Sequence, residues 1–242
     1  MSRMRLGGML VLSLAMLPSI WARQQSARLP HDPVLDQLTV IAQDFERRAR
    51  LAGSVITSAS PAIVVDTPPQ LSMLTSGTNT IHTSRWEELT PDVQDLFRRW
   101  ATYAGDATGK QLFDDMLHRF FFVHELAHWL QRQAKNNTND AYQFELEANR
   151  VTVAYWRETD SAYLTTLLAL FQRISDRLPS PVPRGQDAEQ YFNANYRWMG
   201  SNPDAYGWFQ TRMVVQAGAE QPARTFLETL HRLSVDAKNP VP

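Results

Sequence analysis

The amino-acid sequence predicts an α+β fold in which a mostly helical body follows a small N-terminal sheet. Apolar residues recur with the spacing of amphipathic helices through most of the chain. Short β-branched segments between Pro61 and Ser84 leave room only for strands of a few residues. The Pro-rich segment Leu178–Gly185 cannot continue a helix, so it separates a C-terminal helical lobe from the body.

The first 22 residues have the features of a secretory signal peptide. Arg3 and Arg5 give a positively charged start, and the apolar run Leu6–Leu17 is too short to span a membrane comfortably. Ala22 offers a small residue for cleavage, and the absence of Cys excludes a disulfide framework. We therefore expect a periplasmic or secreted protein, with no stable membrane insertion after the signal is cleaved.

The charge balance gives no reason to expect nucleic acid or an anionic membrane as a partner. The whole sequence has a formal net charge of −1, and loss of the two arginines of the signal leaves −3. The 220 residues after position 22 suffice for one hydrophobic core with a helical extension. We predict a core domain at residues 23–178 and a C-terminal helical lobe at residues 179–242.

The first elements follow from periodicity and from turn residues. Val34–Ala52 has a one-sided apolar stripe and is predicted to be a helix. Ala62–Val65 is an apolar, mostly β-branched segment flanked by prolines, so a short strand is expected there. One or two more strands fit between Leu71 and Thr83, and Asn79–Thr83 is the clearer of them.

Two helices are predicted in the centre of the chain. Thr90-Pro91-Asp92 combines a cap residue, an early proline and an acid, which indicates a helix that runs to about Tyr103. Gly105 and Gly109 interrupt the pattern, and a second helix is expected from about Lys110 to Ala134.

The second of these helices contains His124-Glu125-Leu126-Ala127-His128, the zinc metallopeptidase motif. Two histidines four residues apart lie about 40° apart around a helix, so both imidazoles project from one face and can bind zinc. Glu125 can reach a water at the metal without coordinating the metal itself, which is the position of a general base. A metal site without catalysis, or two ordinary helix histidines, are the alternatives.

The third metal ligand is expected to be a carboxylate. A catalytic zinc takes three protein ligands, and the chain has no Cys and no further His shortly after His128. Residues 135–139 are predicted to form a loop, and Asn139 or Asp140 can cap a helix that returns from it.

Two glutamates on the returning helix compete for this role. An antiparallel return of about 7.5 Å, after about 9 Å of outgoing helix, brings Glu145 to the height of His128. Glu147 lies a further half-turn along, on the opposite side of the helix. The apolar stripe of this helix lies between the two positions, so periodicity does not decide between them.

The remaining chain predicts helices only. Residues 140–178 are expected to be helical, with an interruption near Asp160. After the Pro-rich segment, three short helices are predicted at about Asp187–Met199, Pro203–Gln216 and Gln221–Leu233. Their many aromatic residues are typical of the core of a small helical lobe.

His-Glu-Leu-Ala-His followed by Glu-Leu-Glu-Ala-Asn resembles the gluzincin metallopeptidases over residues 118–157. In particular, the motif looks like that of their small branches, which include the CAAX-processing and stress-induced membrane peptidases and the minigluzincins. It implies a zincin-like fold, Glu145 as the third ligand, and Asn149 as a support for a zinc-bound histidine. This chain lacks the transmembrane helices of the membrane members and has Asn149 where many have aspartate.

The resemblance also implies how a substrate would bind. In gluzincins an edge strand beside the cleft can pair with an extended peptide, and Ile81–Ser84 is our candidate for this strand. His82 on this segment is expected to be a surface or packing residue. Gluzincins often stabilise the oxyanion with a Tyr, His or Arg from the C-terminal lobe. Four residues there qualify, and the sequence does not select among them: Tyr196, Tyr206, Arg212 and His231.

These features together predict a zinc-dependent peptidase that acts on a peptide or protein substrate. Zinc would be bound by His124, His128 and Glu145, with Glu125 as general base. A non-catalytic zinc-binding envelope interaction protein is the main alternative, but zinc binding alone does not require Glu125. A zinc hydrolase of another amide or ester is also compatible with the motif.

Overall fold

The computed structural model has an α+β fold in which a mostly helical body accompanies a small three-stranded sheet, as the sequence predicts. The structure describes residues 32–54, 56–66, 71–75, 77–105, 107–134 and 140–236. The predicted signal peptide at residues 1–22 and the predicted loop at residues 135–139 lie outside the described residues. The described residues from Asp32 onward belong to one compact unit.

The sheet has the strand order β1-β3-β2, with β1 at Ala62–Val65, β2 at Ser72–Thr75 and β3 at Thr80–Thr83. The central strand, β3, pairs in parallel with β1 and antiparallel with β2. The prediction that Ile81–Ser84 is a substrate-facing edge strand is therefore wrong, because neighbouring strands use both sides of β3. The strand that packs against the helix of the histidine motif at the sheet edge is β2.

One helix precedes the three strands in the sequence and another follows them. The first, α1 (Pro33–Leu51), begins at Asp32, whose carboxylate accepts hydrogen bonds from N–H groups of the first turn. The second, α2 (Pro91–Ala104), has the predicted proline in its first turn. It ends at Gly105, whose φ of +107° lies in a region that favours glycine.

The histidine motif lies on a helical segment that is not regular throughout. A capping box between Thr108 and Gln111 starts α3 (Gly109–Asp115). A π-helical turn at Met116–Phe120 follows, and α4 (Phe121–Gln133) carries the motif. Sequence analysis predicted one regular helix, because a π turn leaves no mark in hydrophobic periodicity. The turn rotates α4 about its axis relative to α3.

The returning helix is α5 (Ala141–Thr159), and α6 (Ser161–Arg177) follows it after the predicted interruption. Asp140 caps α5 by accepting a hydrogen bond from the N–H of Gln143 over 3.0 Å. Asp160 ends α5 and also caps α6, so a single residue accounts for the break. Contacts between α4 and α5 run in opposite chain directions, which confirms the antiparallel return.

The C-terminal helices are α7 (Ala188–Met199), α8 (Pro203–Ala219) and α9 (Phe226–Asp236). They pack on helices that precede the Pro-rich segment: α8 contacts α5 and α6, and α9 contacts α5. The predicted start of α9 at Gln221 is wrong, because a reciprocal cap between Thr225 and Glu228 begins the helix later. None of the described helices is long and apolar enough to cross a membrane.

Candidate metal centre

Both motif histidines project from one face of α4 into the protein. The rings of His124 and His128 are 4.4 Å apart between centroids and meet edge to face. Their exposed fractions are 2% and 7%, so both imidazoles are removed from bulk water. Two imidazoles on one helix face in a buried position can supply two nitrogen ligands to one metal ion.

Glu145 on α5 completes a three-residue group with these histidines. Its Oε2 lies 3.0 Å from His124 Nε2 and 3.6 Å from His128 Nε2. One donor atom from each of the three residues lies within 4.8 Å of the others, so this buried group could hold a metal ion. We call His124, His128 and Glu145 the metal group. Glu147 forms an ion pair with Arg150 instead and lies outside the group.

A chain of side-chain amides fixes the orientation of His124. Gln210 Nε2 donates to Glu145 Oε2 over 2.8 Å, and Asn149 Nδ2 donates to Gln210 Oε1 over 3.0 Å. Because a carboxylate only accepts, Gln210 must turn its nitrogen towards Glu145, and Asn149 must then turn its oxygen towards His124. That oxygen lies 2.9 Å from His124 Nδ1, so Nδ1 carries the proton and Nε2 can bind a metal. We call Gln210 and Asn149 the amide chain.

His128 is oriented by a second amide, that of Gln131. The side-chain nitrogen of Gln131 donates to the carbonyl oxygen of Phe144 over 2.9 Å, so its oxygen faces His128 Nδ1 at 2.7 Å. Phe144 also stacks on the imidazole, with ring centroids 4.7 Å apart. The Nε2 atoms of both motif histidines are therefore directed towards Glu145, as a shared metal site requires.

Among the described residues, three groups donate hydrogen bonds to the carboxylate of Glu145. Tyr196 donates to Oε1 over 2.6 Å and Tyr206 donates to Oε2 over 3.2 Å, in addition to Gln210. Burial opposes the charged form of Glu145, but the charge of His128 and the close contacts with both histidines hold its pKa well below the usual range. Burial and the neighbouring Glu145 raise the pKa of both tyrosines, so both hydroxyls stay protonated.

Glu125 lies beside the metal group but is not one of its members. Its Oε2 accepts a hydrogen bond of 2.8 Å from the backbone N–H of Leu74 on the edge strand β2. The carbonyl oxygen of Leu74 accepts a bond of 3.1 Å from Arg132 on α4. The outward-facing backbone groups of one β2 residue therefore bind two side chains of the motif helix.

The metal group and Glu125 line one cavity of about 600 Å³. Tyr196, Tyr206 and Gln210 also line it, so the residues that bind Glu145 are part of its wall. A cavity of this size falls in the range of sites that take small ligands, about 300–1,000 Å³.

Three residues considered in the sequence analysis lie outside this cavity. Arg212 on α8 is exposed and places its guanidinium carbon 4.3 Å from the ring centroid of Trp208. His231 is exposed on α9. His82 on β3 faces Asp66, with 3.0 Å between its Nδ1 and a carboxylate oxygen. Neither Arg212 nor His231 can therefore act as an oxyanion donor in this conformation.

Gln131, Gln210 and the backbone of Leu74 were not predicted from the sequence as parts of the site. Gln131 follows His128 by three residues and shares its helix face, so helix geometry offered a signal for it. Gln210 shares a face with Tyr206, from which it is four residues distant, but only the tertiary fold brings that face to Asn149. No side-chain pattern indicates a backbone N–H that binds a carboxylate.

Gln131→Leu is expected to lower the affinity of the site for an added metal ion, with Zn²⁺ as the test ion, about 10- to 100-fold, the usual effect of losing a group that orients a metal-bound histidine. Leucine has a similar size but leaves the Nδ1–H of His128 without its acceptor. The affinity can be measured by competition with a chelator of known strength. Gln172→Leu, on the exposed side of α6, is the matched control and should bind zinc as the parent protein does. Equal affinities in both variants would contradict the orienting role of Gln131.

Binding of an added metal ion, again tested with Zn²⁺, is expected to release protons from the site near neutral pH. Burial opposes the charged form of His128, but Glu145 favours it and raises its pKa above the usual value in the metal-free protein. A metal needs the neutral imidazole, so the apparent zinc affinity should rise with pH. Calorimetric titration in two buffers with different enthalpies of ionisation measures the protons released. A zinc affinity independent of pH between about 6 and 8 would contradict this prediction.

Comparison of the chain with protein-family models, with curated proteins and with solved structures finds no match. The resemblance of the motif to the gluzincins therefore stays a prediction.

Proposed function

We propose that this chain is a zinc-dependent peptidase that hydrolyses peptide bonds in peptide or protein substrates. The observation that supports this most strongly is the position of Glu125. It lies in the same cavity as His124, His128 and Glu145 but outside their group. A site that only binds a metal needs no such carboxylate, whereas a hydrolase needs a base beside the attacking water.

The donor set fits zinc. Two imidazoles and one carboxylate are a common ligand set of catalytic zinc, which keeps one coordination position for water or substrate. Structural zinc sites are usually closed by four protein ligands rich in Cys, and this chain has no Cys. The amides of Asn149 and Gln131 leave Nε2 of each histidine available. Zinc bound there would supply a Lewis acid that lowers the pKa of water and polarises a carbonyl oxygen.

The side chains around the cavity have distinct roles in the proposed reaction. Glu125 accepts a proton from the attacking water and returns it to the leaving amine, while the N–H of Leu74 holds its carboxylate in place. Tyr196 is the more exposed of the two tyrosines, and we propose that it donates to the oxygen that gains negative charge. Tyr206 also hydrogen-bonds with Gln210, and we assign it to the support of Glu145.

The resemblance to the gluzincins supports the same assignment, since their motif places the ligands at the positions of His124, His128 and Glu145. It also supports Asn149 as the residue that orients a ligand histidine, in agreement with its 2.9 Å contact to His124. The predicted signal peptide would direct the enzyme to the periplasm or to the medium.

The proposal is tested by metal analysis of the purified protein and by its incubation with a peptide library, with and without a chelator. About one zinc per chain and cleavage that the chelator abolishes are expected. Zinc without cleavage of any peptide would favour a non-catalytic zinc-binding envelope interaction protein. Cleavage of other amides or esters alone would indicate a different zinc hydrolase.

A further inference from the structure

The cavity has an apolar wall in addition to the polar wall that carries the metal group. Four residues of this wall occupy one face of α2, where positions 93, 96, 97 and 100 follow helical spacing. Two more come from the π-helical turn before the motif helix. We call these six residues the apolar chamber: Val93, Leu96, Phe97, Trp100, Met116 and Leu117.

The chamber contains no charged side chain. Among the described residues, the arginines that line the same cavity come from other elements: Arg132 belongs to α4, where it binds the carbonyl oxygen of Leu74, and Arg197 is exposed on α7. A charged group of a substrate would lose its hydration against the chamber without gaining an ionic partner there. An apolar side chain would gain from the same transfer.

The indole of Trp100 in the chamber is held by contacts with α8. The indole of Trp100 is 4% exposed, and its Nε1 donates to Asp204 Oδ1 over 2.9 Å. Arg99 binds the same carboxylate over 2.7 Å and so restrains Asp204. A Cβ atom at Gly207 would lie 2.4 Å from Cη2 of Trp100, so only glycine lets α8 pass this close to the ring. Because this wall is fixed before a ligand binds, it can select ligands by shape, and binding does not have to pay for ordering its side chains.

We propose that the apolar chamber is a specificity pocket that selects substrates with a bulky aromatic or aliphatic side chain next to the cleaved bond. The inference rests on the proposed peptidase function, because the metal group and the chamber share one cavity. A volume of about 600 Å³ holds a few residues of a peptide, one of which enters the chamber.

The first test compares peptides that differ at one position, with Phe, Leu, Ala or Asp before the cleaved bond in one series and after it in another. At one of the two positions, Phe and Leu peptides should have kcat/KM values about 10- to 100-fold above the Ala peptide, and Asp should be poorer still. Equal or higher values for Ala or Asp at both positions would overturn the proposal.

Val93→Phe should fill the chamber and lower the Phe-to-Ala ratio of kcat/KM about tenfold. Val40→Phe is the matched control, because Val40 lies on α1 with an exposed fraction of 66% and should keep the ratio. Circular dichroism and zinc content verify that each variant is folded. If Val93→Phe fails this check, Val93→Thr, which has nearly the same volume but adds a hydroxyl, should lower the ratio several-fold. An unchanged ratio in the folded variant would overturn the proposal.

A second measurement does not depend on turnover. The neutral fluorophore N-phenyl-1-naphthylamine should bind the parent protein and Val40→Phe, and should bind folded Val93→Phe about tenfold more weakly. Equal binding to all three proteins would overturn the chamber as an apolar pocket. If the zinc-loaded protein cleaves no peptide but the fluorophore distinguishes Val93→Phe, the peptidase function fails and the apolar pocket stands.

Discussion

The Glu125→Gln protein is expected to keep its zinc while its rate of peptide hydrolysis falls about 10²- to 10⁴-fold. Glutamine has the size of glutamate, and its amide oxygen can still accept the hydrogen bond from the N–H of Leu74. It cannot take the proton of the attacking water. The three proposed ligands, His124, His128 and Glu145, are unchanged, so the metal should remain.

Zinc content per chain and the rate with a good peptide substrate are measured on the same preparations. Glu87→Gln makes the same chemical change on an exposed residue far along the chain from the motif, and it should keep both zinc and activity. Turnover by Glu125→Gln close to that of the parent protein, at equal zinc, would refute Glu125 as the base. Loss of zinc would instead mean that Glu125 helps to hold the metal.

Glu145→Ala is expected to reduce the zinc content from about one per chain to near zero. The substitution removes one of three proposed ligands, and it also removes the acceptor shared by Tyr196, Tyr206 and Gln210. The two neighbouring histidines then lose the negative charge that lies between them. Peptide hydrolysis should fall with the zinc content.

Glu147→Ala is the matched control, because Glu147 is two residues away on the same helix but pairs with Arg150. It should retain zinc and activity. Glu145→Gln provides a variant of native size if the alanine variant unfolds, and it should also bind zinc far more weakly than the parent protein. The reverse order, with zinc lost only from Glu147→Ala, would show that the wrong carboxylate was assigned.

The sequence predicted the metal group because its geometry is local. His124 and His128 lie four residues apart on one helix, and Asp140 caps a returning helix whose length brings Glu145 back to His128. These relations depend on helical rise and on capping, which act over a few residues. The same holds for the break at Asp160, where one side chain both ends a helix and starts the next.

Features that depend on contacts between distant parts of the chain could not be predicted from local patterns in the sequence. The order β1-β3-β2 is decided by pairing between strands, and so the sequence did not show that β3 lies in the centre. The four oxyanion candidates lie on three helices, α7, α8 and α9, and only the packing of these helices separates them. Tyr206 and Gln210 share the face that reaches Glu145, whereas Arg212, two residues beyond Gln210, lies about 200° further around the helix.

The amide chain has an evolutionary consequence, because the donors and acceptors between Glu145 and His124 can be arranged in only one order. An aspartate at position 149 could not donate to Gln210 Oε1 as Asn149 does. Gln210 would have to reverse its amide, and its oxygen would then face the carboxylate of Glu145. Positions 149 and 210 are therefore expected to change together among relatives of this chain, with asparagine accompanied by glutamine and aspartate by a residue other than glutamine.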